Sequence, residues 1–263
     1  MFIDSSVVHS VQISHFMKFS IIIPAYNEEK YIEKTVRAAL RQDIPRKDFE
    51  IIVVDNNSTD KTSEVAKRAG ADKVVLEKKK GTNMARERGF EESRGKIVAF
   101  LDADCAPPKN WLRNIEKLLA KEHAAAISGP YDYNFHGATK TAEKIYEKFA
   151  FKKIPEFLEK AFGKRAGAII GGNFAAPRET IQKIGGLPPI VFSGDDAAIA
   201  ILIARKVGKV AFSSKLRVKS SPRRFKERGL LNTVSKYGWY YFKTYFSLPE
   251  TTKKKIVKKK RNG

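Results

Sequence analysis

The apolar positions of this chain fall into two kinds of run that alternate. "KFSIIIP" (18–24), "FEIIVVD" (49–55), "KVVLE" (73–77) and "KIVAFLD" (96–102) are short and almost continuously apolar, as strands buried on both faces are. Longer amphipathic segments separate them. "NEEKYIEKTVRAALRQ" (27–42) places Ile32, Val36, Ala39 and Leu40 at helical spacing. "DKTSEVAKRAG" (60–70) opens near an aspartate and ends on a glycine, and "NMARERGFEESRG" (83–95) reads as a helix closed by Gly95. Strand and helix in strict alternation predict an α/β fold, a parallel sheet covered by helices and wound with right-handed crossovers.

The second half is less regular. "AAAISGPY" (124–131) suggests a strand, and residues 138–162, rich in Lys and Phe, a long helix. "GAIIGGNFAAP" (167–177) reads as a strand interrupted by glycines, and "PRETIQKIGG" as a short helix capped by Gly185. "GDDAAIAILIARKVG" (194–208) predicts an amphipathic helix with Ile199, Leu202, Ile203 and Val207 on one face, and "KVAFSSKLRVKSS" (209–221) is strand-like. No internal repeat is visible.

Polar residues collect where the strands end. The first apolar run leads into Pro24-Ala25-Tyr26-Asn27-Glu28, the second into Asp55-Asn56-Asn57, and the fourth into Asp102-Ala103-Asp104. Ligands of open α/β sheets bind outside the carboxyl ends of the strands, so three polar strand ends converge on one edge with at least four carboxylates. Asp55 alone is equally well a turn or helix-cap aspartate. Asp102 and Asp104 stand two residues apart; in extended backbone both side chains point the same way, with small Ala103 between them. Carboxylates so placed suit a hard divalent cation such as Mg²⁺ or Mn²⁺, which needs only one or two protein ligands when phosphates supply the rest. The plainer reading is a surface turn before Pro107-Pro108.

Five segments in order, "SIIIPAYNEEKYI", "IIVVDNNSTDKT", "KGTNMARERGFEESRGKIVAFLDADC", "GGNFAAPRETIQKIGG" and "SGDDAAIAILIARKVG", resemble the successive motifs of family 2 glycosyltransferases. The likeness runs from Lys18 to Gly208. It implies a GT-A fold, a Rossmann-like, mostly parallel sheet flanked by helices, and transfer of a sugar from a UDP- or GDP-linked donor with inversion. By resemblance Pro24, Ala25, Tyr26, Asn27 and Glu28 line the base and ribose, and Asp55 holds the nucleoside. Many relatives carry Asp-Asp-Gly-Ser where this chain has Asp55-Asn56-Asn57-Ser58. Arg86 and Gly89 match an Ala-Arg-x-x-Gly element, and an arginine there suits the donor's phosphate or sugar. Asp102-Ala103-Asp104 matches the metal-binding DxD, with Asp104 as direct ligand and Asp102 as a contact to the donor sugar or ribose. Gly171-Gly172-Asn173 matches an element near both sugars, where paired glycines let substrate approach. Asp195-Asp196 stands where the family has Glu-Asp, and the base role falls on Asp196; acidic residues at a helix start also complement its dipole. The domain plan that follows is an extension 1–16, a nucleotide-binding half 17–104, an acceptor half 105–220 and a helical appendage 221–263, with Met17 as the natural start.

Charge adds a partner class. The chain carries 51 Lys+Arg against 29 Asp+Glu, and "TTKKKIVKKKRNG" (251–263) has seven basic residues and no acidic one. Such an excess favours anionic partners. Aromatic residues from Tyr237 to Phe246, with Lys236 and Lys243 among them, form a segment too short to span a bilayer. It is read equally well as a packed helix with a solvated tail or as a segment lying in an anionic membrane interface, and a polyprenyl- or lipid-linked acceptor accounts for both charge and aromatics. Arg223 or Arg224 is placed to close over a donor pyrophosphate. No secretory leader or membrane span is read, so a cytoplasmic site, with peripheral membrane contact, is expected. Cys105 is the only cysteine, which rules out an intramolecular disulfide or a cysteine zinc site, and the four histidines lack ligand spacing. A nucleotidyltransferase of similar fold would need a glycine-rich arginine loop after the first strand, where "PAYNEE" stands. A nucleic-acid-binding module is suggested by charge alone and leaves the acidic strand ends unexplained; no specific nucleic-acid partner is expected.

Overall fold

The chain's computed structural model describes residues 17–134, 137–189, 194–223 and 230–248. Four strands, β1 (Phe19–Ala25), β2 (Phe49–Asp55), β3 (Lys73–Leu76) and β4 (Ile97–Leu101), lie parallel and adjacent. Helices α1 (Ile32–Leu40), α2 (Thr62–Arg68) and α3 (Thr82–Glu92) make the crossovers. There follow β5 (Cys105–Ala106), α4 (Trp111–Lys121), β6 (Ala126–Ser128), β7 (Tyr131–Asp132), and α5 (Gly137–Lys148), which runs through a π turn into α6 (Ile154–Phe162). The chain then forms β8 (Asn173–Pro177), α7 (Arg178–Ile184), α8 (Asp195–Lys206), β9 (Val210–Phe212), β10 (Val218–Ser220) and α9 (Leu230–Ser247). The main sheet has the order β3-β2-β1-β4-β8-β6-β9, and β5-β10-β7 form a second, small sheet.

β1, β2 and β4 are buried on both faces, which explains their continuous apolar runs, whereas β3 at the sheet edge is only partly buried and leaves Leu76 exposed. Phe19, Ile21, Ile23, Ile51 and Val53 pack with Ile32, Val36, Trp111 and Ile115 on one side. Their neighbours Ile22, Ile52, Val54 and Phe100 pack with Ala85, Ile181, Ile199 and Ile203 on the other. Gly89 is where α3 touches the sheet: a Cβ there would overlap the Ile22 side chain.

β8 is the one reversed strand beside β4, with Leu101 opposite Asn173. Its first residue therefore lies at the carboxyl end of β4, and the Asp102 amide donates to the Gly172 carbonyl at 3.1 Å. This reversal delivers the Gly171-Gly172 turn to the acidic edge. Asn173 fixes it there. Its buried side-chain amide donates to the carbonyls of Leu216 (2.7 Å), Gly129 (2.9 Å) and Pro130 (3.3 Å), and its oxygen accepts from the Trp111 indole at 3.0 Å.

Several expectations change. The first helix begins at Ile32 rather than residue 27, because Asn27 has φ 55° and Tyr31 and Ile32 donate back to the Glu28 carbonyl. α3 ends at Glu92; Gly95 does not cap it but lies against the Ser20 backbone, where no Cβ fits. Only 173–177 of the stretch 167–177 is strand. α4 was not anticipated. α8 is not amphipathic but buried on every side from Ala197 to Ala204, because α9 and α6 cover the face that the sheet does not. The Met17 start rests on residues 1–16, which, like the basic tail 251–263 and Arg224, lie outside the described residues.

Asn173→Ala removes the side-chain partner of the Leu216 and Gly129 carbonyls and of the Trp111 indole N–H, while the Pro130 carbonyl keeps the Val218 amide. We expect a loss of about 2–4 kcal/mol in urea unfolding, as a shifted midpoint at unchanged slope. A loss below about 1 kcal/mol would show that Asn173 does not fix this junction.

Candidate active site

The residues at the ends of β1 and β2 form one hydrogen-bonded turn cluster. Pro24 and Ala25 are buried at the end of β1. Tyr26 is half exposed, with Lys80 Nζ 5.6 Å from its ring centre. Asn27 accepts from the Thr59 amide (2.8 Å) and donates its own amide to Ser58 Oγ (2.9 Å), while the Glu28 amide donates to Thr62 Oγ1 at 2.8 Å. Asp55 is buried; the Ser58 amide donates to it at 2.8 Å and the Ser63 hydroxyl donates to its other oxygen. The departures from Asp-Asp-Gly-Ser have physical reasons. Asn56 donates its side-chain N–H groups to the carbonyls of Glu77 (3.0 Å) and Lys79 (2.7 Å), which a carboxylate cannot do. Asn57 sits at φ 64°, a left-handed conformation that asparagine adopts in place of the relatives' glycine.

Asp102 and Asp104 do not come together by strand alternation. Residues 102–104 form a turn, closed by the Cys105 amide donating to the Asp102 carbonyl at 3.1 Å. Buried Ala103 holds the turn through its carbonyl, which accepts from Thr35 Oγ1 at 2.7 Å. Asp102 accepts from the Tyr131 hydroxyl at 2.9 Å, and its other oxygen is 3.6 Å from an Arg86 nitrogen. Asp104 takes a different partner: Arg223 Nε lies 3.1 Å from it, and the same guanidinium pairs with Glu28 and stacks 4.8 Å over the Tyr31 ring. Cys105 is buried beside them, its thiol pushed far up by burial and by both aspartates.

Arg86 is the hub of the second cluster. It is 3% exposed and reaches Asp196 at 3.1 Å, Asp195 at 3.4 Å and Asn83 at 3.1 Å. Its Nε has no hydrogen-bond partner among the described residues. Burial opposes its charge, but Asp196, Asp195 and Asp102 outweigh that and hold the guanidinium protonated, above the ordinary arginine value. Asp196 accepts from the Gly171 amide at 2.9 Å. A Cβ at Gly171 would overlap the Asp196 carboxylate, and one at Gly172 would overlap the Asp102 carboxylate and the Tyr131 hydroxyl. The two glycines are thus a side-chain-free seam with one carboxylate against each.

The predicted residues therefore fall into three groups. Asp102 and Asp196 meet at the Arg86 guanidinium, with Gly172 against Asp102; Glu28 and Asp104 meet around Arg223; Asp55 is held within its own turn. Tyr131, Asn83 and the anchoring role of Asn173 were missed. Only the glycine-proline turn before Tyr131 hinted at a close backbone approach.

Against this geometry, the glycosyl transferase family 2 model matches residues 20–185. The chain belongs to this family. It is 29% identical over 182 residues, 67% of its length, to the glycosyltransferase AglE of Haloferax volcanii, of which the match covers 58%. The chain spans from 19% to 58% of the length of the curated relatives it matches. The fold of family 2 is also that of two solved structures. The mannosyltransferase PcManGT of Pyrobaculum calidifontis, in complex with GDP-Man and Mn²⁺, superposes with TM-score 0.65 at 22% identity, covering 90% of this chain and 72% of that one. Staphylococcus aureus TarS with UDP-GlcNAc superposes with TM-score 0.61 at 20% identity, covering 78% and 58%.

Asp195 is pushed up to about 7, first by burial and then by the charge of Asp196, with Arg86 pulling the other way. A raised carboxylate pKa means the fold keeps a proton that the unfolded chain loses near pH 4, so this group's contribution to stability falls as pH rises from about 4 to about 7 and is level above. Asp195→Asn keeps the shape and removes the titration. In urea unfolding at a series of pH values the variant should gain on wild type across that window; a constant difference would contradict the assignment.

Proposed function

We propose that the chain transfers a sugar from a UDP- or GDP-linked donor to a hydroxyl or lipid-phosphate acceptor, with inversion at the anomeric carbon and a requirement for Mg²⁺ or Mn²⁺. The observation that carries this reading is the Gly171-Gly172 seam, where backbone without side chains lies directly against the Asp102 and Asp196 carboxylates. The first strand-end cluster, with Asp55 and the 24–28 turn, takes the nucleoside. Asp102 receives the donor sugar's hydroxyls. Asp196 accepts the acceptor's proton as its oxygen attacks, and the Gly171 amide and Arg86 hold that carboxylate in place. Attack opposite the departing phosphate inverts the centre, and one base on the acceptor side is enough because no sugar–enzyme bond forms.

The donor set fits a divalent ion. Among the described residues no three His, Cys, Asp or Glu side chains gather into a complete metal cage. An ion shared with a diphosphate does not need one. Asp104 holds a cation already, the Arg223 guanidinium, so this carboxylate sits where positive charge is accommodated. Asp104 would be the direct ligand, with Asp102 beside it. The bound ion would neutralise charge on the departing nucleoside diphosphate. Arg223, displaced from Asp104, would then be positioned to meet the pyrophosphate.

A thermal-shift screen with UDP, GDP and their sugars, with and without Mg²⁺ or Mn²⁺, is expected to show metal-dependent stabilisation by one nucleotide. In Asp196→Asn turnover should fall about 10²–10⁴-fold while that nucleotide shift is kept. Full activity in the variant would remove Asp196 as the base.

A further inference from the structure

Among the described residues, helix α9 packs one apolar face and leaves a second exposed. On the inner face Tyr245 is buried, its hydroxyl donating to the Lys164 carbonyl at 2.8 Å, and Tyr241 donates to the Gly167 carbonyl at 3.0 Å. Arg205 of α8 stacks on the Tyr245 ring at 4.9 Å and donates to the Tyr245 carbonyl at 2.8 Å. The outer face carries Trp239, 69% exposed, Phe242, and Phe246, 54% exposed, with Lys243 among them. Their spacing of three and four residues lines them along one side. Phe162 of α6 extends the patch, half exposed and edge-on to Phe246 at 5.1 Å. Large exposed apolar patches of this kind mark interaction surfaces.

Three observations say what covers it. Beyond α9, residues 251–263 carry seven basic residues and no acidic one, so the occupant is anionic as well as apolar. No helix among the described residues is long and apolar enough to cross a membrane, so α9 would lie along a surface rather than span it. Tryptophan and phenylalanine beside lysine match a headgroup boundary, where rings enter the acyl region and ammonium groups reach the phosphates. We propose that the Trp239–Phe242–Phe246 face, with Phe162, docks on an anionic lipid bilayer and is held there by the basic segment after it.

The position of α9 gives this docking a consequence for the site. Gly194, the residue before Asp195-Asp196, lies against α9: a Cβ there would meet Tyr240 Cβ at 3.3 Å and Thr244 Oγ1 at 3.5 Å. The helix that meets the bilayer therefore abuts the start of the helix that carries the base. A lipid-linked acceptor in that bilayer would reach Asp196 without leaving it. That consequence rests on the glycosyl-transfer reading; the docking itself does not.

The test uses the full chain, without donor, and vesicles of phosphatidylcholine alone or with about one third phosphatidylglycerol, an anionic fraction sufficient to attract a polybasic segment. Trp111, the other of the two tryptophans, is 0% exposed in the core, so a change in tryptophan emission on binding reports Trp239. We expect co-sedimentation with the anionic vesicles, a blue shift of emission, and loss of about tenfold or more in partitioning for Trp239→Ser/Phe246→Ser. Binding without a blue shift, or unchanged by the double substitution, would mean that the tail alone binds and would overturn the docking face. Absence of vesicle binding would overturn it too, as would a dimer that the double substitution dissolves, which would make the face a contact between copies of the chain. The nucleotide-dependent thermal shift of both proteins, measured without vesicles, stays unchanged if only the docking proposal fails.

Discussion

A single buried guanidinium holds the candidate site together. Arg86 comes from α3, in the first half of the fold, and its charge is met by Asp102 at the end of β4 and by Asp195 and Asp196 at the start of α8. Three carboxylates drawn this close would repel one another and resist burial, so they coexist only because a fully protonated cation lies among them. The converse also holds, since an arginine this deep in the protein needs those charges. Each partner is the other's reason for being buried, and the seam between the halves is fixed by that mutual need.

The rest of the site follows from this constraint. With Asp102 and Asp196 drawn toward one guanidinium, the backbone that passes them at residues 171–172 must do without side chains. Asn173 then anchors that backbone by filling the hydrogen-bonding capacity of the turn around Gly129 and of the Leu216 carbonyl. The crowding also leaves its mark on Asp195, which cannot ionise as readily as an exposed aspartate. Arg223 repeats the arrangement on a smaller scale, one guanidinium pairing with the carboxylates of Glu28 and Asp104.

Much of the first half was legible in the sequence because local patterns decide it. Continuous apolar runs marked β1, β2, β3 and β4, and the polar residues after them fell at one sheet edge because parallel strands end on the same side. The helix start at Ile32 was missed because Asn27 takes a left-handed turn that spacing does not reveal. The second half depends on partners far away in sequence. That β8 runs backwards, and so carries its glycines to the acidic edge, is decided by pairing with β4. That α8 is buried all round is decided by α9, and no hydrophobic period could separate it from an amphipathic helix whose small residues are alanines. The Asp102-Ala103-Asp104 stretch was read as extended, and its turn comes from contacts with Thr35 and the Cys105 amide. Arg86 itself was read as a donor contact; the sequence offers no sign that both terminal nitrogens of its guanidinium meet the protein's own carboxylates.

The cost of Arg86→Met, measured by urea unfolding in two backgrounds, tests this account most directly. In the wild type the substitution should cost about 3–5 kcal/mol, because it strands carboxylates that lost their cation. In an Asp102→Asn/Asp195→Asn/Asp196→Asn background the cost should shrink by at least about half, since contacting residues in one charge network do not contribute additively. Equal costs in the two backgrounds would mean that Arg86 is held by packing alone and that the three carboxylates do not depend on it.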